Sequence, residues 1–348
     1  MPEPSAPSLL SDLQAKAEAS STPLTMVLEL THRCNLGCRH CYLPSSAREA
    51  SREQASELSL DEWKRVLGEL AVEGTLFLTF TGGEALLRKD LGSILETSRG
   101  LNFHVELFTN ATLLTPGDAD LWSRLGVAGV GVSVYGPDSP GHDRVTGAPG
   151  SFDRTLAGIK LLRERGIPVR FKVPLMRSNA SSYRAILALA QSLGATWQVD
   201  PLLTPANDGS DIPSRLGLDD EALSSAFRDP LLCSSESLAS AQAPGPDDSA
   251  CSAGRTFAAI GPCGDVYPCL QWLESAGNTR TASFRSIWQH SALLLDARGR
   301  AWKDLKPCPT CAGSHYSHCP GLAMLEHQDP AVPPRSSCRL TAAMRATT

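Results

Sequence analysis

Between residues 25 and 199 the apolar positions follow two alternating rhythms. Strand-length apolar runs occupy 25–30, 75–81, 103–109, 127–134, 167–175 and 195–199. Between them apolar residues recur at steps of three and four, predicting helices at 59–73, 90–99, 116–125, 151–165 and 179–193, because such steps keep one helix face apolar. Ser59-Leu60-Asp61-Glu62 has capping-box spacing, and Ser151 reads as the cap of its helix. The run at 75–81 is nearly continuous in its apolar residues, as parallel strands buried on both faces are. Six strand–helix alternations with short links give an α/β chain with a parallel sheet and right-handed crossovers. An open doubly wound sheet and a partial barrel both satisfy that pattern.

The rhythm stops at both ends. Residues 1–23, rich in Ser, Ala and Pro, read as a flexible N-terminal extension with a short helix at 9–19. The barrel or sheet occupies 24–215 and is followed by a Pro-, Ser- and Asp-rich linker, 216–250, with one amphipathic helix near 219–228. Residues 251–348 lack long periodic runs and are dense in cysteine, which marks a second, small domain. A chain of 348 residues is long enough for this division. Its 42% hydrophobic and 20% charged residues make it globular. The net charge of −5 gives no reason to expect a nucleic-acid partner. No apolar run reaches membrane-spanning length and no secretory signal opens the chain, so the expected setting is cytoplasmic, away from membranes. In that setting 11 cysteines read as metal ligands rather than disulfides.

The chemistry starts at Cys34-Asn35-Leu36-Gly37-Cys38-Arg39-His40-Cys41, directly after the first strand. Three thiolates on one short loop hold three corners of a cubane iron–sulfur cluster and leave one iron open to a small molecule. A zinc site would more commonly use CxxC pairs and four ligands. The spacing CxxxCxxC, preceded by Thr31-His32-Arg33 and followed by Tyr42, resembles the radical S-adenosylmethionine (SAM) superfamily. That resemblance implies a partial (β/α)6 TIM-like barrel with its site at the carboxyl ends of the strands. It also implies a [4Fe-4S] cluster on Cys34, Cys38 and Cys41, and SAM chelated by the open iron and cleaved to a 5′-deoxyadenosyl radical.

Other positions take expected roles from the same resemblance. Gly82-Gly83-Glu84 after the second strand is similar to the segment that holds the SAM ammonium, with Ala85 where proline is common. Glycines there permit close backbone approach, and a carboxylate pairs with an ammonium. Ser133, at the end of the fourth strand, is the expected ribose contact, against the plainer reading of a strand-end hydroxyl; Asn110 is a second polar candidate. His40 and Tyr42 are expected near the adenine. Arg170 and Lys172 alternate on the fifth strand and so share a face. If that face is the lumen, Lys172 meets a carboxylate of SAM or substrate; otherwise both snorkel to water. His142-Asp143-Arg144-Val145-Thr146-Gly147 is expected to order a loop over the site, its charges otherwise forming a solvated ion pair.

The C-terminal cysteines resemble the SPASM extension of radical SAM enzymes, through Cys251, Gly264-Asp265-Val266-Tyr267-Pro268-Cys269, Cys308-Pro309-Thr310-Cys311, Cys319 and Cys338. The resemblance implies one auxiliary [4Fe-4S] cluster on Cys308, Cys311, Cys319 and Cys338, and the start of another on Cys251 and Cys269. Seven residues separate Cys311 from Cys319 where the family has five, and Ala323 stands where the family has a further cysteine. Cys263 or Cys233 is the expected substitute for that missing thiolate, with His315 and His318 as replacement ligands. Structural zinc is the competing use of the CxxC pair. The function implied is hydrogen abstraction from a peptide or protein, in residue oxidation or crosslinking, served by a separate leader-binding protein and by reduced flavodoxin or ferredoxin. The alternatives are a small-molecule substrate, such as a sugar or cofactor precursor, or a non-catalytic electron carrier.

Overall fold

The structure is a computed structural model that describes residues 9–49, 56–232, 244–307 and 318–345. Helix α1 (Leu9–Ser20) leads into β1 (Thr25–Glu29), and a short helix, α2 (Ser45–Glu49), follows the cysteine loop. The alternation continues with α3 (Leu60–Val72), β2 (Phe77–Thr81), α4 (Leu91–Gly100), β3 (His104–Thr109), α5 (Pro116–Leu125) and β4 (Gly129–Ser133). Then come α6 (Ser139–Thr146), α7 (Ser151–Glu164), β5 (Val169–Pro174), α8 (Tyr183–Ser192) and β6 (Thr196–Asp200). The remaining elements are α9 (Asp220–Phe227), β7 (Phe257–Ile260), β8 (Asp265–Tyr267), β9 (Gly277–Asn278), α10 (Phe284–His290), α11 (Ala292–Gly299), α12 (Pro320–His327) and α13 (Arg335–Arg345).

The sheet order is β6-β5-β4-β3-β2-β1-β7-β8-β9. From β6 to β7 every pairing is parallel; the last two are antiparallel. The first six strands follow chain order without the reversal that defines a doubly wound sheet, so the partial, unclosed barrel is the form built. Strand alternation sets its two faces. On β5, Val169, Phe171 and Val173 are buried, whereas Arg170 and Lys172 are more exposed. Helices cover the apolar face: α3 buries Trp63, Val66, Leu67 and Leu70, one face at helical spacing. Its expected capping box is present, with Glu62 N–H on the Ser59 hydroxyl and the Glu62 carboxylate on Ser59 N–H.

Several expectations change. Gly150 (φ 73°), not Ser151, is the cap of α7, because the Ser151 hydroxyl donates to Asp143 Oδ1 at 2.8 Å instead. The helix expected from 179 begins at Tyr183, since the Asn179 side chain pins the preceding turn by donating to Tyr135 O and Pro174 O and accepting from Met176 N–H. The N-terminal segment holds its helix, α1, and is tied to the body where Trp288 Nε1 donates to Ser21 O at 2.8 Å. In the expected linker, α9 packs on α13 through Leu223, Ala226 and Ala343, with Arg339 Nε 2.6 Å from Asp220 Oδ1. The cysteine-rich end carries more regular structure than its sequence pattern announces, including β7, which joins β1 as a further parallel strand.

Candidate active site

The stem of the cysteine loop is fixed from beneath by buried charge. Glu57 accepts two hydrogen bonds from Arg33, each at 3.2 Å, and one from the Thr31 hydroxyl. Arg88, 3.6 Å from the same carboxylate, also donates to the carbonyls of Leu30 and Leu58. Removing one partner of such a buried network leaves an uncompensated charge, which is costly. The Gly-Gly turn after β2 completes the clamp. Gly83 N–H donates to Thr31 O at 2.7 Å and Glu84 N–H to Arg33 O at 2.8 Å. A Cβ on Gly82 would lie 2.1 Å from Thr31 O, and one on Gly83 2.3 Å from the carbonyl oxygens of His32 and Arg33. These glycines are thus required by the approach of the chain's own stem.

Glu84 is buried, and both of its oxygens are used within the protein. They accept from Leu86 N–H (3.0 Å), the Thr109 hydroxyl (2.7 Å) and Asn110 N–H (2.8 Å). Burial drives its pKa upward against these three bonds. Gly82 and Gly83 line the cavity above the cysteines, while Glu84 is not part of that wall. Its bonds from Thr109 and Asn110 brace β3 against the turn.

A second clamp comes from the segment 142–147, which forms most of α6 rather than a loop. Gly37 N–H donates to Thr146 O at 2.9 Å and Arg39 N–H to Val145 O at 3.1 Å. Among the described residues Asp143 has no ion-pair partner within salt-bridge distance and is used for hydrogen bonding instead. It accepts from Gly150 N–H (2.6 Å), the Ser151 hydroxyl (2.8 Å) and Phe152 N–H (2.8 Å), fastening α6 to the start of α7.

The cavity enclosed has a volume of about 480 Å³, within the ~300–1,000 Å³ of small-molecule sites. Cys34, Cys38 and Cys41 all line it, as do His40, Tyr42, Asn110, Ser133 and Lys172. The lumen face is thereby settled for Lys172, whose Nζ lies 4.9 Å from the Phe108 ring centroid and 3.8 Å from Asp200 Oδ2. Burial lowers its pKa, with Asp200 opposing. Arg170, on the same face, is 3.7 Å from Glu106. The Asn110 amide donates to Asn35 Oδ1 at 2.9 Å and so ties β3 to the cysteine loop. Tyr42 donates to Glu29 Oε1 at 2.5 Å; burial, then Glu29, holds its phenol well above the usual range.

Among the wall residues that sequence reasoning missed are Tyr135, Phe108, Asp200 and Gln271. The Tyr135 hydroxyl lies 3.9 Å from Cys38 Sγ, and its ring meets His40 edge-on at 4.7 Å. Its position just beyond the fourth strand was the available signal.

Among the described C-terminal cysteines, Cys269 and Cys319 are brought together around Gln271. Gln271 N–H donates to Cys269 Sγ at 3.4 Å, and the Cys319 thiol lies 3.2 Å from Gln271 Oε1. A Cβ on Gly321 would come within 3.0 Å of Cys269 Sγ, so the 319–321 segment packs directly on 269–271. Burial, with Cys319 and Cys251 as charged neighbours, pushes the Cys269 thiol up to about 12; burial also raises Cys319, with Cys251 again acting on it. Cys319 and Cys269 therefore share one neighbourhood around Gln271 and Gly321. Cys263 lies elsewhere, in the β7–β8 turn, 3.4 Å from the Ser56 hydroxyl. Cys338 is exposed on α13. His318 is 3.1 Å from Pro330 O. Cys233, Cys308, Cys311 and His315 lie outside the described residues.

Comparison with known proteins agrees with this geometry. A family model described as the Radical SAM superfamily matches residues 28–189, and one described as SPASM, an iron–sulfur cluster-binding domain, matches 251–313. The PqqA peptide cyclase of Rhodopseudomonas palustris is 31% identical over 316 residues, covering 85% of this chain and 81% of that protein. The chain belongs to the radical SAM superfamily. Another relative, the AdoMet-dependent heme synthase of Methanosarcina barkeri, is 30% identical over 303 residues, covering 80% of this chain and 86% of that one. The fold is shared with Streptococcus suis SuiB bound to its precursor peptide SuiA, at a TM-score of 0.69 and 16% identity over 97% of this chain and 82% of that one. It is also shared with anSMEcpe bound to AdoMet, at 0.67 and 17% over 93% of each chain.

This radical SAM enzyme therefore carries iron–sulfur and SAM sites as its family does, and its donor set fits them. Three thiols from one clamped loop face one cavity, and among the described residues lining it there is no fourth cysteine. Such a set would leave one corner of a cubane cluster open toward the cavity. No helix among the described residues is long and apolar enough to cross a membrane.

Proposed function

We propose that this enzyme cleaves SAM reductively and abstracts hydrogen from a peptide or protein, in residue oxidation or crosslink formation. The observation that carries the cleavage half is the convergence of Cys34, Cys38 and Cys41 on a single cavity whose opposite walls are the ends of β2 to β6. When bound there, the cluster supplies the single electron that breaks a carbon–sulfur bond of SAM and yields a 5′-deoxyadenosyl radical. The chain's own residues bind, orient and exclude water. In this reading the backbone at Gly82 and Gly83 meets the SAM ammonium, with Glu84 acting through the turn it braces. Ser133 and Asn110 meet the ribose, His40 and Tyr42 border the adenine, and Lys172 neutralises a carboxylate.

A peptide substrate is supported by the relative named PqqA peptide cyclase. The relative named AdoMet-dependent heme synthase, of nearly equal identity, supports a small-molecule substrate as the second reading. One or two auxiliary [4Fe-4S] clusters serve as electron acceptor or substrate anchor, so iron should number about eight or about twelve per chain. The expected partners are reduced flavodoxin or ferredoxin and a separate leader-binding protein, in the cytoplasm. We assign 24–215 to the barrel and 251–348 to the auxiliary-cluster region, joined by 216–250.

The test is anaerobic reconstitution with dithionite and SAM. The intact enzyme should form 5′-deoxyadenosine, and the Cys34→Ala/Cys38→Ala/Cys41→Ala variant should form none while retaining auxiliary iron. Cleavage surviving in that variant defeats the assignment. Deuterium passing to 5′-deoxyadenosine from a labelled precursor peptide encoded beside the gene favours the peptide reading; transfer from a labelled small molecule alone favours the second.

A further inference from the structure

Gln271 belongs to two sites at once. It lines the barrel cavity shared by the three loop cysteines, and it touches two cysteines of the C-terminal region. Its backbone N–H donates to Cys269 Sγ at 3.4 Å, and its side-chain oxygen lies 3.2 Å from Cys319 Sγ. Gly321 leaves it little room to move, since a Cβ there would come within 3.0 Å of Gln271 Cβ. The same Cβ would come within 3.0 Å of Cys269 Sγ, so Gln271, Cys269 and Cys319 pack together.

The Cys319 thiol donates to the Gln271 oxygen at 3.2 Å. A sulfur that ligates iron has no proton and can only accept. The same contact then requires the amide to turn over and present its NH2, an exchange that a carboxamide makes without changing its shape. Hydrogen bonds to ligand sulfurs are among the levers that set iron–sulfur potentials. A donor favours the more negative, reduced state and raises the potential.

We propose that Gln271 is a positioning residue that donates to the Cys319 sulfur of an iron–sulfur group held by Cys251, Cys269 and Cys319, and so sets that group's reduction potential from the wall of the substrate cavity. The inference rests on the reading of these cysteines as auxiliary-cluster ligands, and it moves Cys319 out of the set expected with Cys308, Cys311 and Cys338.

The test uses the full chain, with Cys34, Cys38 and Cys41 changed to Ala so that only auxiliary iron is observed. Potentiometric titration is followed by electron paramagnetic resonance. Gln271→Leu should bind the same iron as its parent and titrate at a lower potential. Gln271→Glu, which places a carboxylate beside the sulfur, should titrate lower still. An unmoved midpoint in both variants overturns the proposal, as does loss of the iron in both, which would make the residue merely structural. The ligand set is read separately from iron content. Cys319→Ala should lose the same signal as Cys251→Ala and Cys269→Ala, while Cys338→Ala keeps it. The opposite pattern overturns both the ligand set and the inference built on it, whereas the 5′-deoxyadenosine assay on the intact enzyme judges the cleavage reading independently.

Discussion

At the scale of single residues, what the sequence displays is whatever lies on one continuous stretch. Cys34, Cys38 and Cys41 are legible because their spacing fixes their common loop. Tyr135, Asp200 and Gln271 reach the same cavity from three distant parts of the chain, and no local pattern announces such convergence. Gly82 and Gly83 were legible as glycines that permit close approach, but the approaching group is the carbonyl row of residues 31–33. Gly83→Ala should therefore strain the stem of the cysteine loop, at about 1–3 kcal/mol for an overpacked site, and release iron from that loop first. Thermal melting and iron analysis check it, and full iron content in the variant would rule it out. His142 gives a pH prediction. Burial lowers its pKa from 6.5 to about 4, with Asp143 opposing, and its Nδ1 accepts from Tyr135 N–H. The unfolded chain takes up this proton near pH 6.5 and the folded chain only near 4, so stability present above 6.5 is lost as pH falls through that window. The loss is on the order of 2–4 kcal/mol. Urea titrations at several pH values should show this slope in the parent and not in His142→Asn; equal slopes would contradict it.

Elements were readable where a period ran long enough to register. The six barrel strands and the helices α3, α4, α5 and α7 follow apolar spacing closely, whereas α6 was not predicted; α5 has its Thr115–Asp118 capping box, Pro116 at its start and Gly126 at its end. β7 was not readable, because Phe257–Ile260 is four residues long, too short to separate from a buried turn by pattern. The start of α7 was misread because Ser151 looks like a cap while the capping work belongs to Asp143, eight residues earlier. One carboxylate there accepts from two backbone N–H groups and a hydroxyl. Asp143→Ala should cost about 2–3 kcal/mol, as loss of bonds to a charged acceptor does, while Asp143→Asn should recover part of it. The effect should also reach the metal loop, since α6 supplies the carbonyls that hold Gly37 and Arg39. Faster amide hydrogen exchange at residues 36–40 in Asp143→Ala is the expected sign. Protection unchanged from the parent would break the proposed link between helix and loop.

For the whole molecule, the division into a barrel and a cysteine-rich appendage describes sequence composition better than packing. Met26 and Leu28 of β1 belong to the same buried core as Ala258 and Ile260 of β7, and that core continues through Phe284, Ile287, Trp288 and Leu294. β1 is paired on both sides, to β2 and to β7, in register from Thr25. The strand that leads to the metal loop is thus a central strand only because the C-terminal region supplies its neighbour. The contact of Trp288 with Ser21 ties the N-terminal helix to that same region. Removing residues 251–348 would turn β1 into an edge strand with unpaired backbone groups and exposed apolar side chains, the arrangement that invites edge-to-edge aggregation. Burial worth ~1.5–3 kcal/mol per fully buried side chain would be lost at several positions, a sum comparable with the ~5–15 kcal/mol by which a domain of ordinary stability is folded. A chain ending at residue 250 should consequently be recovered as aggregate, while the full chain with every C-terminal cysteine changed to Ser remains soluble with its circular dichroism preserved. That pair of outcomes would separate the packing contribution of the C-terminal region from its metal chemistry. A soluble, monomeric 1–250 fragment with cooperative unfolding would show instead that the barrel stands by itself.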